Sequence, residues 1–286
     1  PRAEIEAALA ALAPRCGGRE GGAERAEGAA RVLGVHLEGP YLSPQKLGAQ
    51  PAFAATASLE EILALNRLAP IRVVTLAPEV PQHLELIGRL NDAGFRVQLG
   101  HSDASYEQGV AALERGARGF THLFNAMSGL QHRAPGLVGA ALAHAQHAEL
   151  IPDLLHVHPG SIRAALRAIP GLYCVSDATA GASMPDGEYR LGRHRVIKCL
   201  GSVRLPDGTL AGSALTMDQA LRNLVGLGLP LAEASARVSR VVADYLGLVD
   251  RGRIEVGAWA DLVVLDADLR VRQVVVEGEA IEPVRG

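Results

Sequence analysis

The sequence predicts an α/β fold, a (β/α)8 TIM-type parallel barrel, and three observations carry that prediction. Strand-like and helix-like segments alternate regularly from residue 31, which implies right-handed parallel units. Strand after strand ends in an ionisable residue, Glu38, His101, His122 and Asp177, and a barrel brings all its strand C-termini to one mouth. The Gly-rich phosphate fingerprint expected of an open nucleotide-binding sheet is absent.

The elements follow in order. V-L-G-V-H-L (32 to 37) reads as a strand stopped by Gly39-Pro40. S-L-E-E-I-L-A-L-N-R-L (58 to 68) reads as a helix with a capping box of Ser58 and Glu61. I-R-V-V-T-L (71 to 76) is a strand, and residues 81 to 94 form a helix with Pro at its start and Gly at its end. Strands at 95 to 101 and 119 to 123 flank a helix at 105 to 116, and strands at 148 to 153 and 172 to 177 flank a helix at 161 to 169. Beyond Asp177 the pattern turns to hairpins with a P-D-G turn at 206 to 208, then a helix at 216 to 225. Strand, turn and strand close the chain at 260 to 266 and 271 to 278. The division expected is a parallel barrel over 1–250, lacking its first strands in this chain, and the C-terminal part of a β-sandwich domain over 251–286.

Composition bounds the function. Of 286 residues, 48% are hydrophobic but only 3% aromatic, so the core must be built from Leu, Val, Ile and Ala. A net charge of -3 without any Lys/Arg block leaves no electrostatic footprint for nucleic acid or a membrane surface. No apolar run approaches about 18 residues, and no signal-peptide pattern is visible, so a soluble, cytoplasmic protein is expected. Cys16, Cys174 and Cys199 lack metal-knuckle or redox-pair spacing and read as reduced, buried thiols.

Glu38, His101 and His122 are the set that suits a first-row divalent ion: two imidazoles and a carboxylate, with positions left open. Zinc and iron fit first, and manganese or cobalt would also be accepted. Asp177 ends an apolar strand, where a carboxylate is costly unless paired or functional. It reads either as an N-cap or as a general acid/base beside the ion. His36 shares a face with Glu38 and is equally a ligand or a neighbour that supports one. His156 and His158 would reach the same mouth. Arg133 could hold an anion, and Asn125 could bind substrate or cap a turn. His144 and His147 look like exposed helix-end residues and take no role.

H-L-E-G-P-Y-L, T-L-A-P-E, G-H-S-D-A-S, T-H-L-F-N-A-M, V-S-D-A-T and A-G-S-A-L-T-M, in that order, resemble the N-acetylglucosamine-6-phosphate deacetylases of the amidohydrolase superfamily. The likeness runs from about residue 31 to the end, including G-R-I-E-V-G-A-W-A-D-L-V-V-L-D, similar to the superfamily's terminal β-domain. It implies Glu38, His101 and His122 as ligands of one divalent metal and Asp177 as catalytic acid/base. It also implies that His156 contacts the sugar or the acetyl oxygen, that Asn125, Ala126 and Arg133 engage the sugar phosphate, and that Leu210, Ala211 and Gly212 close over the acetyl group. In this family the arginine can come from a neighbouring subunit, so the resemblance implies a homodimer. The reaction implied is hydrolysis of the acetamide by metal-activated water. Alternatives are an N-acetylgalactosamine-6-phosphate deacetylase, a cyclic-amide hydrolase, or a non-catalytic scaffold on the same fold.

Two departures from the family pattern stand out. The family's K-G-A-H reads K-L-G-A-Q here, so Gln50 replaces a histidine expected to touch substrate. The H-x-H motif that ends the superfamily's first barrel strand is missing. With six barrel strands visible, the native protein is expected to be longer by about 100 residues.

Overall fold

The protein is described by a computed structural model over residues 1–16, 25 and 28–281. The chain opens with α1 (Arg2–Leu12), and the first strand, β1 (Val35–Glu38), follows. Next come α2 (Leu59–Asn66), β2 (Ile71–Leu76), α3 (His83–Asp92), β3 (Arg96–Leu99), α4 (Tyr106–Glu114) and β4 (Gly119–Phe120). α5 (Gly136–His144), β5 (His147–Leu150), α6 (Pro159–Ala168) and β6 (Gly171–Cys174) complete the alternation. β1 to β4 form a parallel sheet in sequential order, and β5 pairs in parallel with β6. The two sheets meet where the Leu123 N–H donates to the Glu149 carbonyl at 2.8 Å. The expected α/β alternation is therefore present, with strands shorter than the apolar runs suggest.

Both faces of these strands are covered. β2 buries five of its six residues, and Leu76, Leu99, Phe120 and Leu150 are fully enclosed. Apolar runs rather than alternating patterns mark strands buried on both sides. Ser58 caps α2 by accepting from the Glu61 N–H, while the complete capping box lies on α4, between Ser105 and Gln108. α5 has no sequence expectation behind it. It is apolar all round and packs so closely on α4 that a Cβ on Gly109 would lie 2.8 Å from the Ala140 Cβ. His144 does end α5, where Tyr106 OH meets its Nε2 at 2.6 Å. His147 differs from expectation: it begins β5, with its ring 5.1 Å from that of Tyr245.

After β6 the chain forms an antiparallel sheet of β7 (Gly187–Leu191), β8 (His194–Cys199), β9 (Ser202–Arg204) and β10 (Leu210–Ser213). Three helices follow, α7 (Met217–Gly226), α8 (Leu231–Val238) and α9 (Arg240–Leu246). The buried guanidinium of Arg237 on α8 donates to the carbonyls of Pro170 and Leu172, tying α8 to β6. A three-stranded antiparallel sheet, β11 (Leu262–Leu265), β12 (Val271–Val276) and β13 (Glu279–Ile281), ends the described chain. The last five residues of the expected 251–286 unit lie outside the described residues. Cys16 and Cys174 are buried as expected. Cys199 is exposed, because it ends β8 at the rim of the antiparallel sheet. Among the described residues, no helix is long and apolar enough to cross a membrane.

Candidate metal centre and its cavity

The expected donors converge. Glu38 is the last residue of β1, His101 lies two residues past β3, and His122 two past β4. Glu38 Oε1 lies 2.9 Å from His101 Nε2 and 3.1 Å from His122 Nε2, and the two ring nitrogens are 3.1 Å apart. Three lone-pair atoms at such separations match ligands that share an ion about 2.0–2.1 Å from each. Among the described residues this is the one group of three or more such donors that could hold a metal ion. The donor set fits a divalent metal.

Local backbone chemistry aims these groups. His101, His122 and Asp177 have φ of 47°, 31° and 48°, left-handed values that side chains avoid unless their surroundings enforce them. His101 Nδ1 donates to the Lys46 carbonyl at 2.7 Å, which leaves its Nε2 as a lone pair for the centre. Glu79, from T-L-A-P-E, accepts from Ser102 Oγ at 2.7 Å and the Asp103 N–H at 2.6 Å, pinning the turn that carries His101. Asp177 is held by β10, where the Ser213 N–H donates to the Asp177 carbonyl at 2.8 Å. Gly212 (φ 69°) makes this approach possible, since a Cβ there would stand 2.9 Å from that carbonyl.

Electrostatics follow from burial and charge. Burial alone would raise the Glu38 carboxyl, but His122 and His101 outweigh it and hold Glu38 well below the usual range. Burial disfavours a charged His122 ring, yet the Glu38 carboxylate more than compensates and raises it to about 9. Asp177 is pushed up to about 6, by burial first and then by the Glu38 charge, with His122 and His156 opposing.

A cavity of about 630 Å³ opens over this group. Its walls include Glu38, His101, His122 and Asp177, and also Gln50, Asn125, Ala126, His156, Leu210 and Gly212. Ala211 turns away, into a small cluster with Val196 and Val203. Arg133 is exposed in the loop before α5 and is not part of the cavity wall. Asn125 spends its amide on the His122 carbonyl at 3.1 Å, capping the turn. His158 caps α6, accepting from the Gly160 N–H, rather than reaching the mouth. His36 directs Nε2 at Thr75 Oγ1, 2.7 Å away, and does not join the donors. A second cavity of about 300 Å³, between α1 and β1, shares Glu38, Gln50 and Pro51 with the first.

Sequence reasoning missed two carboxylates. Asp153 Oδ2 lies 2.6 Å from His156 Nδ1, and its other oxygen accepts the N–H groups of Leu155 and His156. Those bonds pull the Asp153 carboxyl down against the opposing effect of its burial, and they leave His156 Nε2 for the cavity. Glu149, buried inside β5, was the other. A signal existed for Asp153, which stands three residues before His156 in P-D-L-L-H.

Comparison with known proteins gives the family. The amidohydrolase family profile matches residues 202–280. The N-acetylgalactosamine-6-phosphate deacetylase of Escherichia coli O157:H7 is 40% identical, over 98% of this chain and 74% of that protein. The N-acetylglucosamine-6-phosphate deacetylase of Vibrio furnissii is 38% identical, over 98% and 70%. The chain belongs to the N-acetylglucosamine-6-phosphate deacetylase family of amidohydrolases. Solved members of this deacetylase family superpose closely. The Pasteurella multocida enzyme gives a TM-score of 0.85 at 35% identity, covering 92% of this chain and 70% of that one. A mutant of the Mycobacterium smegmatis deacetylase in complex with N-acetyl-D-glucosamine-6-phosphate gives 0.87 at 34%, covering 98% and 74%. The chain thus spans about 70–74% of the length of these family members.

Proposed function

We propose that the protein hydrolyses the acetamide of N-acetylglucosamine-6-phosphate to glucosamine-6-phosphate and acetate. The observation that carries this reading is the convergence of Glu38, His101 and His122 on one point, under a cavity that Asp177 also faces. When bound there, a divalent ion, zinc or iron first, supplies Lewis acidity and lowers the pKa of water from about 15.7 toward about 7. Asp177 takes a proton onto its carboxylate from the attacking water and returns it to the departing sugar nitrogen. Burial, and after it the Glu38 charge, raise the Asp177 carboxyl, which favours its holding the proton between the two transfers. Asp153 accepts from His156 Nδ1, which leaves Nε2 to accept from a sugar hydroxyl, or to donate to the acetyl oxygen when the ring is protonated. Asn125, Ala126 and an Arg133 contributed across a homodimer hold the phosphate. Gln50 touches the sugar, and Leu210, Ala211 and Gly212, at the start of β10, cover the acetyl group.

The same reading takes the six parallel strands as part of a (β/α)8 barrel and β11–β13 as part of a β-sandwich domain, in a cytoplasmic enzyme. The sequential strand order, the strand-end ligands and the superposition on deacetylase structures support it. The test is primary-amine release from N-acetylglucosamine-6-phosphate by metal-loaded protein. N-acetylglucosamine without the phosphate and the galacto epimer run alongside, because the 40% identical relative carries the epimer's name. Turnover that needs the phosphate and prefers the gluco substrate supports the proposal. Preference for the epimer moves the substrate, and absence of amine release from either phosphate refutes it.

A further inference from the structure

Six polar side chains left unused by the proposed chemistry line up in one run beneath the donor group. Its hydrogen-bond directions can be worked out atom by atom. Thr121 Oγ1 donates to Gln98 Oε1 at 2.8 Å, so it accepts from Thr75 Oγ1 at 2.7 Å. Thr75, its proton spent, accepts from His36 Nε2 at 2.7 Å. On the other side, Gln98 Nε2 donates to Tyr173 OH at 2.7 Å, and Tyr173 donates to Glu149 Oε1 at 3.2 Å. His36 Nδ1 lies 3.6 Å from that oxygen, beyond hydrogen-bond reach, so the hydrogen-bonded run stays open between His36 and Glu149. Five members come from β1, β2, β3, β5 and β6, and Thr121 directly follows β4.

Glu149 is the one carboxylate of the run and is 5% exposed. Such a charge is retained only where donors satisfy it. Its second oxygen accepts the peptide N–H of His122 at 3.3 Å, and its own carbonyl accepts the N–H of Leu123 at 2.8 Å. One residue therefore holds two successive N–H groups of the turn in which His122 adopts its left-handed backbone. A conformation that costs about 1–3 kcal/mol persists only when the surroundings over-determine it. Without that clamp, His122 could relax and carry its Nε2 away from Glu38 and His101.

We infer that Glu149 is a positioning residue for the metal centre, acting through the backbone of His122 and anchored by the polar run. The inference rests on the metal-dependent reading above. In Glu149→Gln, a single amide oxygen must serve both Tyr173 and the His122 N–H, while the NH2 group faces one of those donors. Metal affinity of the apo-protein, measured with zinc by chelator competition, is expected to fall about 10–100-fold. The KM of the metal-loaded variant is expected to stay unchanged. Tyr173→Phe, which keeps the carboxylate but removes one anchor, is expected to lose affinity in the same direction by a smaller factor. A merely structural Glu149 would lower the melting temperature and leave zinc affinity alone, and that result overturns the inference. Should Glu149→Gln fail to fold, Tyr173→Phe decides, and wild-type affinity there overturns it equally. Wild-type protein that binds zinc but releases no amine would refute the deacetylase reading without touching this one.

Discussion

Asp177 can act as a base only when ionised, and its surroundings set when that is. Burial and the Glu38 charge push it up to about 6, and a bound cation nearby can only pull it back down. Turnover should therefore decline on the acid side along a limb at or below about pH 6. Asp177→Asn should lose kcat by at least about 100-fold while still binding metal, because it removes the proton carrier and none of the three donors. A kcat/KM profile of both proteins checks this, and a variant that keeps the acid limb would assign the limb to another group. These four residues were legible because each ionisable side chain ends an apolar run, where burial leaves it no ordinary role. Glu149 was not, because β5 is buried on both sides and a four-residue strand without alternation does not say which face points inward. Gln50 was legible only as a departure from a family pattern. Its place between two cavities came from the fold.

Elements hold the site by their ends, and two ends invite measurement. Glu277, just past β12, forms a bidentate pair with Arg31 from the segment before β1 and accepts from Arg251 at 2.8 Å. Hydrogen bonds from Arg31, helped by Arg251, outweigh burial and draw its carboxyl down to about 2. A lowered folded-state pKa contributes stability above the unfolded value of 4.5, and that stability is lost as pH falls toward about 2. The stability gap between wild type and Glu277→Gln in urea unfolding should thus be full at neutral pH and shrink below pH 4.5. A gap that widens in acid would contradict it. On α4, Ser105→Ala removes half of a complete capping box, and a loss of about 1 kcal/mol is expected, readable as a small drop in melting temperature. Capping chemistry of this kind is local and readable in sequence. α5 is different, because Gly136 and Gly139 weaken its helical signal and its all-apolar surface has no period to follow. It is packed against α4, where Gly109 meets Ala140.

At the scale of the whole molecule, the donor group joins β1 to the turns after β3 and β4, so an ion bound there would add a tie between segments already linked by backbone bonds such as Ser43 N–H to the His101 carbonyl. In apo-protein the Glu38 carboxylate favours a proton on His122. Burial works against that proton, but the Glu38 charge keeps it on His122 up to about 9. A folded-state pKa raised above 6.5 gives stability that is present below that value and lost as pH rises through about 9. Apo-protein should therefore melt at lower temperature as pH climbs from 7 to 10, whereas metal-loaded protein should not follow it, since the ion takes over the charge balance. Metal uptake at pH 7 should also displace the His122 proton, seen as a binding enthalpy that varies with the ionisation enthalpy of the buffer. Free metal at about 1,000 times its Kd should stabilise the fold by about 4 kcal/mol. Chelation should reverse both effects. Uptake without proton release would mean that the ion settles beside Glu38 and His122 rather than between them, and the proposed centre would have to be redrawn.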